Sequence, residues 1–107
     1  MGTPANTTGA YAEFDTKENA KNAFAIFETW ADMATDGKLT GEDEGDYEIC
    51  DIDIKKEAIL FAAFSDKTAN LGWQCERIVE FLKKQPGCKK IEIPIMIQGK
   101  GIFWEKD

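Results

Sequence analysis

Residues 58–64 read AILFAAF. The run is apolar on both faces, as a central strand of a sheet would be. Just before it, Tyr47 to Ile54 alternates in polarity, and Lys55-Lys56-Glu57 separates the two segments. That order predicts a hairpin, although no Asn-Gly turn signal is present. In the first arm Cys50, Ile52 and Ile54 fall on one side, predicted to face inward. Asp51 and Asp53 fall on the other with Tyr47 and Ile49. The apolar phase slips between Ile49 and Ile52, which predicts a bulge or a second face covered at one end.

Two helical patterns flank the hairpin. Ala20, Phe24, Phe27, Ala31 and Ala34 recur along one helical face, widened by Ala23, Ile26, Trp30 and Met33. Asp15 and Glu18 have the spacing of a capping pair, and Asp36-Gly37 ends the helix. After the hairpin, Leu71, Cys75, Ile78 and Leu82 form a second stripe, with Val79 alongside. Lys83 and Lys84 suit the negative end of its dipole, and Gln85-Pro86-Gly87 stops it.

Strand patterns lie outside the helices. Ala10–Phe14 alternates weakly, and Ile91, Ile93, Ile95 and Ile97 alternate strictly with polar residues, Pro94 and Met96. Pro94 cannot donate to a ladder, which favours an edge or a bulge. Gly99-Lys100-Gly101 reads as a tight turn, after which Ile102–Trp104 can fold back as a short fifth strand. The order β-α-β-β-α-β implies an α+β ferredoxin-like sandwich, with two helices on one face of an antiparallel sheet. Counting the four main strands in chain order, the expected neighbour order is 4-1-3-2. It puts the doubly apolar segment in a central strand and the proline-bearing one at an edge. Residues 1–8 read as a flexible lead-in, and residues 9–107 as a single domain.

Composition removes several functions. No apolar run is long enough to span a bilayer, and MGTPANTTG lacks the basic and apolar regions of a secretory signal. Three cysteines with no CxxC argue against a disulfide framework and for a reducing, cytoplasmic setting. With no histidine, Ser-His-Asp and Cys-His catalysis and the commonest metal ligand are missing. No phosphate-binding glycine motif appears, so neither a catalytic residue nor a cofactor is assigned, and the chain is expected not to be an enzyme. One arginine in a chain of net charge −7 argues against nucleic-acid binding. The segment AILFAAFS also lacks the basic-Gly-aromatic signature of RNA-binding sheets. Cys50 and Cys75 read as core residues. Cys88, beside Lys89 and Lys90, is the one thiol whose pKa could be lowered.

The charge is localised. Residues 36–57 hold nine acids and three lysines, net −6, whereas the remaining residues are nearly neutral. The densest part is GEDEGDYEICDID, residues 41–53. It fails the calcium-loop spacing: starting from Asp36, Lys38 and Thr40 occupy ligand positions and Tyr47 stands where Glu is required, so no metal is assigned. A solvated loop and a charged edge strand that deters sheet-to-sheet aggregation would account for the run. So would a docking surface for a basic protein, because crowded like charges repel and a basic partner offsets the cost. On that reading Glu42, Asp43, Glu44, Asp46, Glu48, Asp51 and Asp53 form the surface, and Tyr47 is an aromatic anchor. The expected function is an acidic interaction module of inhibitor, immunity or adaptor type. The alternative is a ligand-binding or small catalytic ferredoxin-like domain, monomeric or a sheet-paired homodimer. Tyr11, Trp73 and Trp104 would then line the ligand, with Glu13 or Glu92 as acid–base groups.

Overall fold

The computed structural model describes residues 5–7, 9–95 and 100–107. The expected lead-in therefore lies partly outside the described residues, as do Met96, Ile97 and Gly99. The elements in chain order are β1 (Ala5–Asn6), β2 (Ala10–Phe14), α1 (Lys17–Thr35), a 3-10 turn (Gly41–Asp43), β3 (Ile49–Lys55), β4 (Ala58–Ser65), α2 (Thr68–Leu82), β5 (Cys88–Ile95) and β6 (Lys100–Glu105). The chain is an α+β domain, with both helices packed on one antiparallel sheet.

AILFAAF forms most of β4, which pairs with β3 on one side and β2 on the other. Ile59, Phe61 and Ala63 face the helices and are buried, while Ala58, Leu60 and Ala62 are half-buried on the open face. β2 also pairs with β5, and β5 with β6, so β3 and β6 are the two outer strands. β1 lies against β4 alongside β2: Ala5 faces Ser65 and Ala10 faces Phe61, one residue more on the N-terminal segment than on β4. Gly9, at φ +70°, supplies the backbone for this offset. Thr7 between them is buried, and its hydroxyl oxygen accepts the Ala63 N–H at 3.1 Å.

β5 is thus an interior strand and not the edge that Pro94 suggested. Gly101 of β6 faces Pro94. A Cβ at that glycine would stand 2.8 Å from the Ile93 carbonyl oxygen, so β6 crosses the proline only because residue 101 has no side chain.

α1 begins on Thr16, whose hydroxyl accepts the Asn19 N–H at 3.0 Å. Asp15 is not the cap; its carboxylate accepts from the Asn19 side-chain amide at 2.8 Å. At the other end Gly37 is left-handed, with Gly37 N–H bonded to Ala34 O and Lys38 N–H to Met33 O, a Schellman closure. The buried stripe is narrower than the sequence pattern: Ile26 and Met33 are 49% and 41% exposed. Phe27 meets Phe61 edge-on at 5.5 Å, and Trp30 stacks on Phe81 at 4.8 Å, tying α1 to the sheet and to α2.

Candidate docking surface at β3 and its loop

The phase slip in β3 is a bulge. Cys50 faces Ala62, yet Asp53 faces Leu60, so the register shifts by one residue between them. Asp51 takes up the extra residue at φ 53°, a left-handed conformation that aspartate tolerates better than most side chains. The bulge reassigns the faces. Ile49 lies on the helix side opposite buried Ala63, and Ile54 lies there opposite Ile59. Ile52 packs against the same core. Cys50 therefore does not share a side with Ile52 and Ile54: it shares the open face with Asp53, while Tyr47 and Ile49 turn inward. Asp51 and Asp53 are both exposed on an outer strand.

The acidic loop before β3 is tied to α2 by bonds the sequence reading did not anticipate. Gln74 is 1% exposed. Its carbonyl oxygen accepts the Glu48 N–H at 3.0 Å, and its amide nitrogen donates to the Phe64 carbonyl at 2.9 Å. One buried side chain thus satisfies two backbone groups just beyond the β3–β4 ladder, where Phe64 N–H still donates directly to the Glu48 carbonyl at 2.9 Å. Asn70 donates to the Asp46 carbonyl at 3.4 Å and to Ser65 Oγ at 3.0 Å. Gly45 lies flat on Trp73; any Cβ there would enter the indole ring. The signal for Gln74 was available: it stands on the helical face of Leu71, Cys75 and Ile78, where a polar residue must have bonded partners.

Tyr47 is 5% exposed, so it cannot anchor a partner. Its hydroxyl donates to the Asp43 carbonyl at 2.6 Å, and its ring packs on Trp30 and Trp73 at 5.6 and 5.1 Å. Burial, with the Asp43 charge adding to it, pushes the phenol up to about 12. Tyr47 serves as the core anchor beneath the loop.

Glu42, Glu44, Asp46 and Glu48 are exposed, and Asp43 is partly so. Arg77 approaches Glu42 at 3.7 Å and Asp43 at 3.6 Å, long contacts at the surface. Among the described residues Glu44, Asp46, Glu48, Asp51 and Asp53 have no cation within ion-pair distance. Beside them an open cleft of about 470 Å³ runs between the end of α1, the loop and the start of α2. Asp46, Glu48, Phe64 and Lys67 are among its lining residues.

The three aromatics expected around a ligand are dispersed. Tyr11 is on the open sheet face, bonded to Glu92 at 2.5 Å, with the Lys90 ammonium 5.9 Å from its ring. Trp104 is opposite Ile91 on the helix side of β6, and Trp73 covers Tyr47 on α2. Glu13 pairs with Lys89 at 3.3 Å. Cys88 is buried, and burial pushes its thiol up to about 11, the reverse of the lowering that Lys89 and Lys90 suggested. Burial likewise raises Cys75 to about 12 and, with Asp51 nearby, raises Cys50. All three cysteines are free. No helix among the described residues is long and apolar enough to cross a membrane, and no metal-binding cluster occurs among them.

Comparison of the chain with protein-family models, with curated proteins and with solved structures finds no match.

Proposed function

We propose that this chain is a small acidic interaction module, of inhibitor, immunity or adaptor type, that docks a basic protein surface through loop 41–48 and β3. The observation that carries the reading is how the acids are held. Gln74, Asn70 and Tyr47 bond the loop backbone at Glu48, Asp46 and Asp43, so the loop has little freedom left to lose on binding. Five of its neighbouring carboxylates lack a cation among the described residues, and a basic partner would relieve their mutual repulsion. In this reading the fold is a ferredoxin-like sandwich with β6 added at one edge. The placement of β2 between β4 and β5, with β3 beyond β4, supports it.

The test is a pull-down from native lysate with the wild type and with an Asp51→Lys/Asp53→Lys double variant. The wild type should retain a basic protein at low salt and release it as salt rises. The double variant, folded by circular dichroism, should retain none. Undiminished capture by the variant would sink the proposal. The ligand-binding or catalytic alternative has less support, because Tyr11, Trp73 and Trp104 line no common space.

A further inference from the structure

β6 is the other edge of the sheet, and among the described residues it pairs with β5 alone. One bond fixes which of its backbone groups point outward. Lys106 N–H donates to Lys89 O at 2.9 Å, so these two residues form a hydrogen-bonded pair. Bonded and non-bonded pairs alternate along an antiparallel ladder. Trp104/Ile91 and Ile102/Ile93 are then bonded pairs, and Gly101, Phe103 and Glu105 turn their N–H and C=O groups to the free edge. Pro94 opposite Gly101 agrees, because proline has no N–H to offer β6.

Among the described residues the middle of this edge carries nothing that discourages another strand; charge stands at its ends, at Lys100, Glu105 and Lys106, and in the Lys90 ammonium 5.8 Å from the Phe103 ring. From Gly101 to Trp104 there is no charge and no proline, and the register with β5 runs without a shift from Lys90/Glu105 to Ile95/Lys100. Phe103 is 59% exposed. Edges of this kind pair with further chains unless something blocks them.

We propose that two copies of the chain pair antiparallel along β6, joining their sheets into one about a twofold axis at Phe103. The strand is self-complementary about that point. The axis sets Phe103 against its own copy, Gly101 against Glu105, and Ile102 against Trp104, so all three outward-facing residues exchange backbone bonds. A shift of one residue would set the helix face of one sheet beside the open face of the other. A shift of two would carry Gly101 or Glu105 past the end of the partner strand. In the centred register aromatic meets aromatic, and β-branched Ile102 meets Trp104, favourable cross-strand pairings. The one like-charged pairing, Lys100 with Lys106, falls at the ends of the ladder.

Sedimentation over a range of protein concentrations tests this. The wild type should pass from 12.0 kDa to twice that mass as concentration rises. Phe103→Pro deletes an outward N–H and spares the bonds to β5; Phe103→Lys keeps the backbone and adds a charge. Each should raise the dimer dissociation constant by roughly tenfold or more, and Asp53→Lys on the opposite edge should leave it unchanged. If the proline variant fails to fold, the lysine variant decides alone. A wild type that stays monomeric at every concentration overturns the proposal. So does a dimer insensitive to Phe103, including one dissolved by Leu60→Glu, which would place the contact on the open face of the sheet.

Discussion

The outer side of β3 carries Asp51 in a left-handed conformation and Asp53 two residues on, both exposed. The outer side of β6 carries Phe103 and, from Gly101 to Trp104, no charge at all. Both strands close the same sheet, yet β3 interrupts its own ladder and β6 does not. A bulge spoils the spacing of backbone donors and acceptors, and carboxylates keep an approaching strand hydrated. On the two proposals above, β3 would recognise charge and β6 another backbone. Proteins that expose two edges to two different partners can separate them by this chemistry alone.

An open β6 edge requires that successive residues of β6 turn their backbone groups in opposite directions, and the largest expected effect follows from that alternation. Trp104→Pro removes an N–H that bonds Ile91 and should destabilise the protein by about 3 kcal/mol or more in urea unfolding. Phe103→Pro, one residue away, removes an N–H that faces outward and should cost at most about 1 kcal/mol in the monomer. Equal costs, or the reverse order, would remove the basis for an open β6 edge.

The next effect is on the β3 side. Gln74→Leu fills the same space but takes the side-chain partner from the Glu48 N–H and the Phe64 carbonyl, two part-buried groups beside the open cleft. The loss should be about 1–2 kcal/mol. Amide exchange should accelerate first at Glu48 and in the loop, while the β5–β6 ladder keeps its protection. Uniform acceleration would mean that the loop is not separately anchored and that its acids are not held as a preformed surface.

The periodic parts of the chain were legible because their burial follows one rule. Strand alternation around AILFAAF and the stripes Ala20–Ala34 and Leu71–Leu82 place the sheet and both helices without any long-range knowledge. Legibility failed where one residue offset the rule. The slip between Ile49 and Ile52 announced a bulge, but its position decides which side chains turn inward, and only the register with β4 fixes it at Asp51. Tyr47 looked like an anchor because it sits among acids, yet its ring is claimed by Trp30 and Trp73 from two different helices. Cys88 looked activated by two neighbouring lysines, but burial outweighs them. Pro94 pointed to an edge, and the actual solution is a glycine on the next strand that lets the backbones meet. Each failure turns on packing that exists only once the strands and helices are assembled.

The smallest expected effect concerns backbone strain, which β3 and its turn carry. Asp51 and Lys56 are the two non-glycine residues with positive φ among those described, at 53° and 56°. A left-handed conformation costs an ordinary L-residue about 1–2 kcal/mol, and less for aspartate, whose short polar side chain bonds locally. Glycine escapes that penalty but gives up some of the gain by being more disordered when unfolded. Lys56→Gly should therefore raise stability by about 0.5–1 kcal/mol in thermal unfolding, and Asp51→Gly by less. The two differ in what they do to docking. Lys56→Gly removes a positive charge next to the acidic strand and should leave capture of a basic partner intact or slightly strengthened. Asp51→Gly keeps the bulge but removes a carboxylate and should weaken capture. Equal capture by the two variants would mean that the bulge, not its charge, is what β3 contributes.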